Sequence, residues 1–188
     1  MTSLQKKIEL RKNVLKKRQD SDKKILSRLS GKILARLEKT EEFKKAETVL
    51  LYAPIKNEVN TLPLIRKYLG RKKILLPRIN PNWQISIHQI NSLKEAEKNT
   101  YDIMEPGSHC KSFSSKKINL AVIPGIAFGT KGERLGFGKG CYDRLLSNLT
   151  VPKIGLAYDF QIIEDIPTET HDQKMDMILT ETRTIKYF

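Results

Sequence analysis

The sequence has only two cysteines, Cys110 and Cys141, far apart and without a CxxC or an accompanying histidine pattern. That excludes a disulfide framework and argues against a structural zinc site, leaving two free thiols. No apolar run approaches the roughly 18 residues that a bilayer span requires. The first residues, MTSLQKKIELRKNVLKKRQ, lack the apolar core and small-residue cleavage site of a secretory signal. A cytoplasmic location with no membrane partner is the expectation. Internal repeats and low-complexity linkers are also absent, so 188 residues are expected to build one domain, 1–188, around one hydrophobic core.

Acidic charge is scarce as well. The chain has 35 Lys and Arg against 21 Asp and Glu, a net charge of +14. Residues 1–45 hold 15 of the basic and 6 of the acidic residues, so most of the excess sits in the first quarter. Such charge suits a nucleic acid, an anionic small molecule or a solvated surface. The basic residues are not interleaved with aromatics, and no RRM, KH or helix-turn-helix signature is present. Nucleic acid is therefore an unlikely partner, and an RNA-associated protein stands as the rival reading.

Apolar residues at helical spacing predict helices over 3–19 (Leu4, Ile8, Leu15) and 22–38 (Ile25, Leu29, Ile33, Leu37), separated by the capping residues Asp20, Ser21 and Asp22. After Phe43 the pattern changes. TVLLYA (48–53), KKILLP (72–77), NLAVIP (119–124) and KIGLAY (153–158) are short apolar runs bounded by Pro or Gly, which predicts buried parallel strands. Helical stretches at 62–69 and 142–149 fall between them. The expected fold is α/β: a single layered domain with a mostly parallel sheet flanked by helices, preceded by two N-terminal helices. WQISIHQI predicts a half-exposed strand with Trp83, Ile85 and Ile87 on one face, MDMILTET a last strand, and 108–117 a polar, mobile segment.

The stretch ERLGFGKGCYDR, Glu133 to Arg144, carries the chemistry. It lies between a strand and a helix, at the sheet edge where α/β proteins bind ligands. Gly136, Gly138 and Gly140 free backbone N–H groups to converge on an anion, and Arg134, Lys139 and Arg144 bracket them with positive charge. A tight turn would explain the glycines, but a turn alone needs no cations. A phosphate is the natural guest. The stretch is neither a Walker A loop, since Gly140 follows Lys139, nor a GxGxxG fingerprint.

The longer segment PGIAFGTKGERLGFGKGCYDRLL closely resembles the signature of the 5-formyltetrahydrofolate cyclo-ligase family. KIELR, YAPIKNEVNT, LLPRI, IMEP and THDQKMDMILTE follow in the family's order, so the resemblance covers nearly the whole chain. It implies an enzyme that uses ATP and magnesium to convert 5-formyltetrahydrofolate, with or without a polyglutamate tail, into 5,10-methenyltetrahydrofolate, releasing ADP and phosphate. The formyl oxygen would be phosphorylated and N10 would close the ring, with Lys139 and Arg134 as catalytic groups. The resemblance implies that ATP is held by Lys7, Arg11, Arg134, Leu135, Gly136, Phe137, Gly138, Lys139, Gly140 and Cys141. Ala53 and Glu58, with Phe137 to Cys141, would hold the folate, and Asp143 and Asp172 would bind Mg2+. The family often has a second tyrosine where this chain has Cys141, which removes an aromatic contact. A sugar-phosphate enzyme of similar α/β layout is a further rival, because fold does not fix chemistry.

Two more expectations concern single residues. At about 100° per residue, Lys7, Arg11 and Arg18 project within the same arc as Leu4, Ile8, Val14 and Leu15, so they aim toward the protein. Cations aimed inward want an anion, although long side chains also snorkel past a core edge to water. His88 and His109 read as structural or solvated, whereas His171 precedes Asp172 and is a candidate for orienting it.

Overall fold

Consecutive apolar residues such as Val49, Leu50 and Leu51 can all be buried only if both faces of their strand are covered, because successive side chains point to opposite sides. The computed structural model describes residues 2–99, 103–170 and 172–187 and has this arrangement. Val49 and Leu51 pack against one layer, and Leu50 against the other.

In chain order the helices are α1 (Ser3–Asp20), α2 (Lys23–Lys39), α3 (Glu41–Lys45), α4 (Leu62–Tyr68) and α5 (Cys141–Leu146). The strands are β1 (Thr48–Leu50), β2 (Lys73–Ile79), β3 (Ile85–Ile90), β4 (Ala96–Lys98), β5 (Met104–Pro106), β6 (Leu120–Ile123), β7 (Ala127–Gly129), β8 (Arg134–Leu135), β9 (Lys153–Leu156), β10 (Ile162–Ile163), β11 (Met177–Leu179) and β12 (Thr184–Lys186). Seven strands form the main sheet in the order β12-β11-β9-β6-β1-β2-β3. Its five inner strands are parallel, and β3 and β12 add antiparallel edges. Helices α2, α3 and α4 cover one face through Ile33, Leu37, Phe43 and Ile65, while α5 and Phe128 cover the other.

Among the parallel strands the spatial order is 2-1-3-4-5 in sequence terms, a doubly wound arrangement whose direction reverses at β1 and β6. A crevice opens outside the carboxyl ends of the strands at such a point. The loop after β1 carries Ala53 and Glu58, and the segment after β6 begins at Pro124 and Gly125. Both therefore reach the same edge.

The sequence did not announce the hairpin β7–β8 between β6 and α5, which with β10, after β9, makes a second, three-stranded sheet. Helix α1 lies on this small sheet, Val14 packing with Ile126, Ala127, Leu135 and Ile166. The stripe it buries is narrow. Lys7, Val14 and Arg18 are buried, but Leu4 and Ile8 are 62% and 55% exposed, contrary to the expected apolar arc. Thr2 caps α1 through a reciprocal capping box with Gln5, and Asp22 caps α2 by accepting from the N–H groups of Lys24 and Ile25. Trp83 stands outside the strand predicted for it, in a turn with φ of 58°. Segment 108–117 is tied down, with Phe113 N–H donating to Ile87 O at 2.7 Å. Strand β12 was missed because Ile185 alone marks it. No described helix is long and apolar enough to cross a membrane.

The Phe128 ring lies close against two glycines. A Cβ on Gly155 would stand 2.5 Å from its Cε1 atom, and one on Gly125 would stand 2.6 Å from its Cζ atom. Phe128 is fully buried, so it cannot step aside. Gly155→Ala should destabilise the fold by about 1–3 kcal/mol, read from urea denaturation, and Gly155→Ala with Phe128→Leu should recover part of that loss. A neutral or stabilising Gly155→Ala would contradict the packing described.

Candidate active site

Three glycines in the turn from β8 to α5 each lie against an arginine. A Cβ on Gly136 would meet Arg134 Nη1 at 2.7 Å, one on Gly138 would meet Arg11 Nη2 at 3.3 Å, and one on Gly140 would meet Arg144 Nη1 at 2.9 Å. Gly138 and Gly140 also have φ of 89° and 63°, the left-handed region that favours glycine. The loop thus combines bare backbone with three guanidinium groups, a combination suited to a polyanion.

Helix α1 supplies the wall. Arg11 Nε donates to Gly136 O at 2.8 Å. One turn earlier Lys7, 7% exposed, donates to Asp172 Oδ2 at 2.9 Å and to Glu169 Oε1 at 3.1 Å. Burial disfavours the Lys7 charge, but the two carboxylates outweigh it and hold its pKa above the ordinary lysine value. Burial pulls the Arg11 pKa down, against the attraction of Asp172. His171, the candidate for orienting Asp172, lies outside the described residues.

Asp143 does not cap α5. The N-cap is Gly140, with no side-chain cap, and Asp143 Oδ1 instead accepts from Arg134 Nη2 at 2.8 Å. Gln173 N–H also approaches Asp143 Oδ1, at 3.5 Å, which brings the segment holding Asp172 alongside Asp143. Arg134 is buried, and its Nε has no hydrogen-bond partner.

At the other end of the groove Glu58 is buried beneath the turn Ile55–Glu58, closed by Glu58 N–H donating to Ile55 O at 3.0 Å. Lys56 and Asn57 both have positive φ, 46° and 59°, which defines a type I′ turn. Asn tolerates that region, whereas Lys56 is strained there. Glu58 Oε2 accepts from Ile55 N–H, and Oε1 has no hydrogen-bond partner. The guanidinium of Arg18, wholly buried, stands 3.9 Å away, with Nε and Nη2 also unsatisfied. Burial raises the Glu58 pKa to about 7, opposed by Arg18. Orphaned buried polar atoms of this kind are rare and point to groups that complete them.

The two ends meet over aromatic rings. Lys56 Nζ lies 5.3 Å from the centre of the Phe137 ring, Arg134 lies 5.5 Å from that of Tyr142, and Lys139 Nζ lies 5.0 Å from that of Trp83. Burial, then the Glu58 carboxylate, raises the Tyr142 pKa. Arg144 Nη2 donates to Trp83 O at 2.7 Å, fastening the Trp83 turn to the glycine loop. Trp83 and Lys56 were not singled out as site residues by sequence, and Arg18 was read only as an inward cation wanting an anion, which Glu58 supplies. The turn-forming NPNW run and the helical arc of Arg18 were the available signals.

Not every expected residue faces the groove. Leu135 packs its side chain beneath α1, and its carbonyl accepts from Ile126 N–H at 2.7 Å. Ala53 is buried just beyond β1, and the Cys141 thiol is half-buried with its pKa raised by burial. Two surface hollows lie elsewhere, one along the last turns of α1 and one at the opposite edge of the sheet.

The model of the 5-formyltetrahydrofolate cyclo-ligase family matches residues 3–181. The chain belongs to that family. A cyclo-ligase of Mycoplasma pneumoniae is 32% identical, over 92% of this chain and 96% of that one. The NMR structure of Aquifex aeolicus 5,10-methenyltetrahydrofolate synthetase is 38% identical, covers 96% of this chain and 92% of its own, and superposes with a TM-score of 0.87. The Mycoplasma pneumoniae synthetase structure is 30% identical, covers 93% and 98%, and gives 0.77. The chain is accordingly a cyclo-ligase, an ATP-dependent enzyme, and its mostly parallel sheet flanked by helices is the synthetase fold.

The buried carboxyl of this cyclo-ligase has a consequence for stability. Glu58 binds its proton more tightly folded (about 7) than at the ordinary value of 4.5. Between those pH values the unfolded chain has lost a proton that the folded chain keeps. Stability from this group is therefore complete below 4.5 and is lost as pH rises toward 7, by about 3 kcal/mol in all. Urea midpoints across this range should fall with pH in the parent more than in Glu58→Gln, and superimposable slopes would contradict the assignment.

Proposed function

We propose that the groove between α1, the glycine loop and the Glu58 turn converts 5-formyltetrahydrofolate and ATP into 5,10-methenyltetrahydrofolate, ADP and phosphate, in the cytoplasm, with the whole chain as one catalytic domain. The observation that carries this reading is the pairing of each loop glycine with an arginine, one of them from α1, within reach of a buried carboxyl that has an unsatisfied oxygen.

A formamide oxygen is a poor leaving group. Transfer of the γ-phosphoryl group from ATP turns it into a good one. N10 then attacks the formyl carbon and gives up its proton, the C–O bond breaks, and phosphate departs carrying that proton as the ring closes. Phosphoryl transfer asks the protein for positioning and charge neutralisation more than for covalent chemistry. Lys7 and Arg11 hold the triphosphate, the backbone of Gly136 to Cys141 cradles it from a loop anchored by Leu135, and Lys139 and Arg134 act on the transferred group. Glu58 and Ala53 receive the pterin, whose ring N–H groups suit the unsatisfied carboxylate oxygen, and Phe137 to Cys141 lie where the two substrates meet. The positive surface suits ATP and a polyglutamate tail, both anionic, which accounts for the charge without RNA.

Asp143 and Asp172 are the residues that would hold Mg2+. Hard carboxylate oxygens beside a phosphate site are the donors this ion takes, and it keeps the rest of its shell for phosphate and water. When bound, the ion neutralises charge on the β- and γ-phosphates. In the free chain Asp143 is neutralised by Arg134 and Asp172 by Lys7, so each carboxylate is held in place by a cation that itself belongs to the phosphate site.

Incubation with 5-formyltetrahydrofolate, ATP and magnesium should produce the ultraviolet-absorbing methenyl product, and a folded chain that yields none would overturn the reading. Asp143→Asn keeps a hydrogen bond to Arg134 but removes the charge from a partly buried pair. It should cost about 1–2 kcal/mol of stability and raise the magnesium needed for half-maximal turnover roughly tenfold, equivalent to about 1.4 kcal/mol. An unchanged magnesium dependence would remove Asp143 from the metal site.

A further inference from the structure

Away from the glycine loop, the residues flanking the β4–β5 hairpin gather three side chains of metal-binding type. One ligand atom each of Glu95, His109 and Cys110 lies within 4.8 Å of the other two. Cys110 Sγ is 3.7 Å from His109 Nε2 and 3.9 Å from Glu95 Oε2. Ligands on a tetrahedral zinc ion, with bonds of about 2.3 Å to sulfur and about 2.0 Å to nitrogen or oxygen, stand about 3.5 Å apart. We propose that Glu95, His109 and Cys110 form a binding site for a borderline-soft divalent cation, best suited to zinc, with the fourth position open to water.

The surroundings are arranged for these ligands. Gly107 N–H donates to Glu95 O at 2.8 Å and Cys110 N–H to Gly107 O at 3.0 Å, which folds the turn back onto Glu95. A Cβ on Gly107 would lie 2.6 Å from His109 Cε1 and 2.8 Å from Glu97 Oε1, so a side chain there would push the imidazole away. Asn91 N–H donates to Glu95 Oε2 at 3.2 Å and orients the carboxylate. Glu97 Oε1 stands 3.9 Å from His109 Nδ1, and a carboxylate behind the imidazole leaves Nε2 as the ligand atom. His88 holds Cys110 O at 2.9 Å, fixing the cysteine backbone against β3. The Cys110 thiol is buried.

Sulfur and nitrogen donors exclude magnesium in favour of zinc, cobalt or nickel. The site is therefore chemically unlike the proposed magnesium site and does not depend on the proposed function. Its effect would be to pin the turn at 107–110 to the residue that opens the hairpin.

The test is a titration of the metal-free, untagged full chain with Co2+ and then Zn2+. A single equivalent of cobalt should produce a sulfur-to-metal charge-transfer band and intense visible bands of tetrahedral coordination, both removed by zinc. Cys110→Ser should abolish the charge-transfer band, and Cys141→Ser should keep it. His109→Ala should weaken binding roughly tenfold or more. The His109 side chain is 58% exposed, so its removal leaves folding intact even if Cys110→Ser does not. Absence of the band in the parent, its survival in Cys110→Ser, full affinity in His109→Ala or loss of the band in Cys141→Ser would each overturn the proposal.

Discussion

A cation removed from water must find an anion or enough dipoles to replace the hydration it gives up. Helix α1 removes Lys7 and Arg18 almost completely and Arg11 in part. Their replacements come from three separate parts of the chain: the acidic segment at 169–172, the carbonyl of Gly136, and the carboxyl of Glu58 with the carbonyl of Gly125. The helix packs on the hairpin sheet through few apolar residues, and Leu4 and Ile8 remain exposed. Its position is therefore set by charge as much as by burial. The same contacts bring α1 against the glycine loop, the segment holding Asp172 and the Glu58 turn.

This arrangement gives the free groove an internal balance. Lys7 and Arg134 each carry a carboxylate that the proposed function assigns to magnesium, and each of these cations is itself assigned to phosphate. The ion pairs keep these groups oriented in the free chain, and on the proposed function they would hold until substrate supplies both a metal and an anion. The groove can then exchange internal partners for external ones without leaving a charge unpaired. Arg18 and Glu58 are balanced less completely, since three of their polar atoms have no partner. That end of the groove has hydrogen-bonding capacity that a heterocycle can satisfy.

The parallel strands were legible because they are buried on both faces, so TVLLYA, NLAVIP and KIGLAY show as unbroken apolar runs with Pro or Gly at their ends. The glycine loop was legible because a turn explains its glycines but not the cations interleaved with them. The hairpin β7–β8 was not, because its strands are two or three residues long and carry no period. The partner of Asp143 was also hidden. A carboxylate at a helix start reads locally as a cap, and only tertiary structure brings Arg134 onto it. Leu4 and Ile8 misled for a related reason, since periodicity marks an apolar arc but not how much of it the neighbouring surface can cover. The cluster at Glu95, His109 and Cys110 joins residues 14 and 15 positions apart through a backbone turn, a spacing that matches no metal motif.

The central claim is that Lys7 and Arg11 of α1 form the nucleotide site, and equilibrium titration of ATP with magnesium tests it most directly. Arg11 donates to the glycine loop, whereas Lys12, one position further round the helix, is exposed. Arg11→Ala should weaken ATP binding roughly tenfold, equivalent to about 1.4 kcal/mol, while Lys12→Ala stays within about twofold of the parent, a change of less than 0.5 kcal/mol. Equal losses in the two variants would mean that diffuse positive charge attracts the nucleotide, and full affinity in Arg11→Ala would mean that it binds elsewhere.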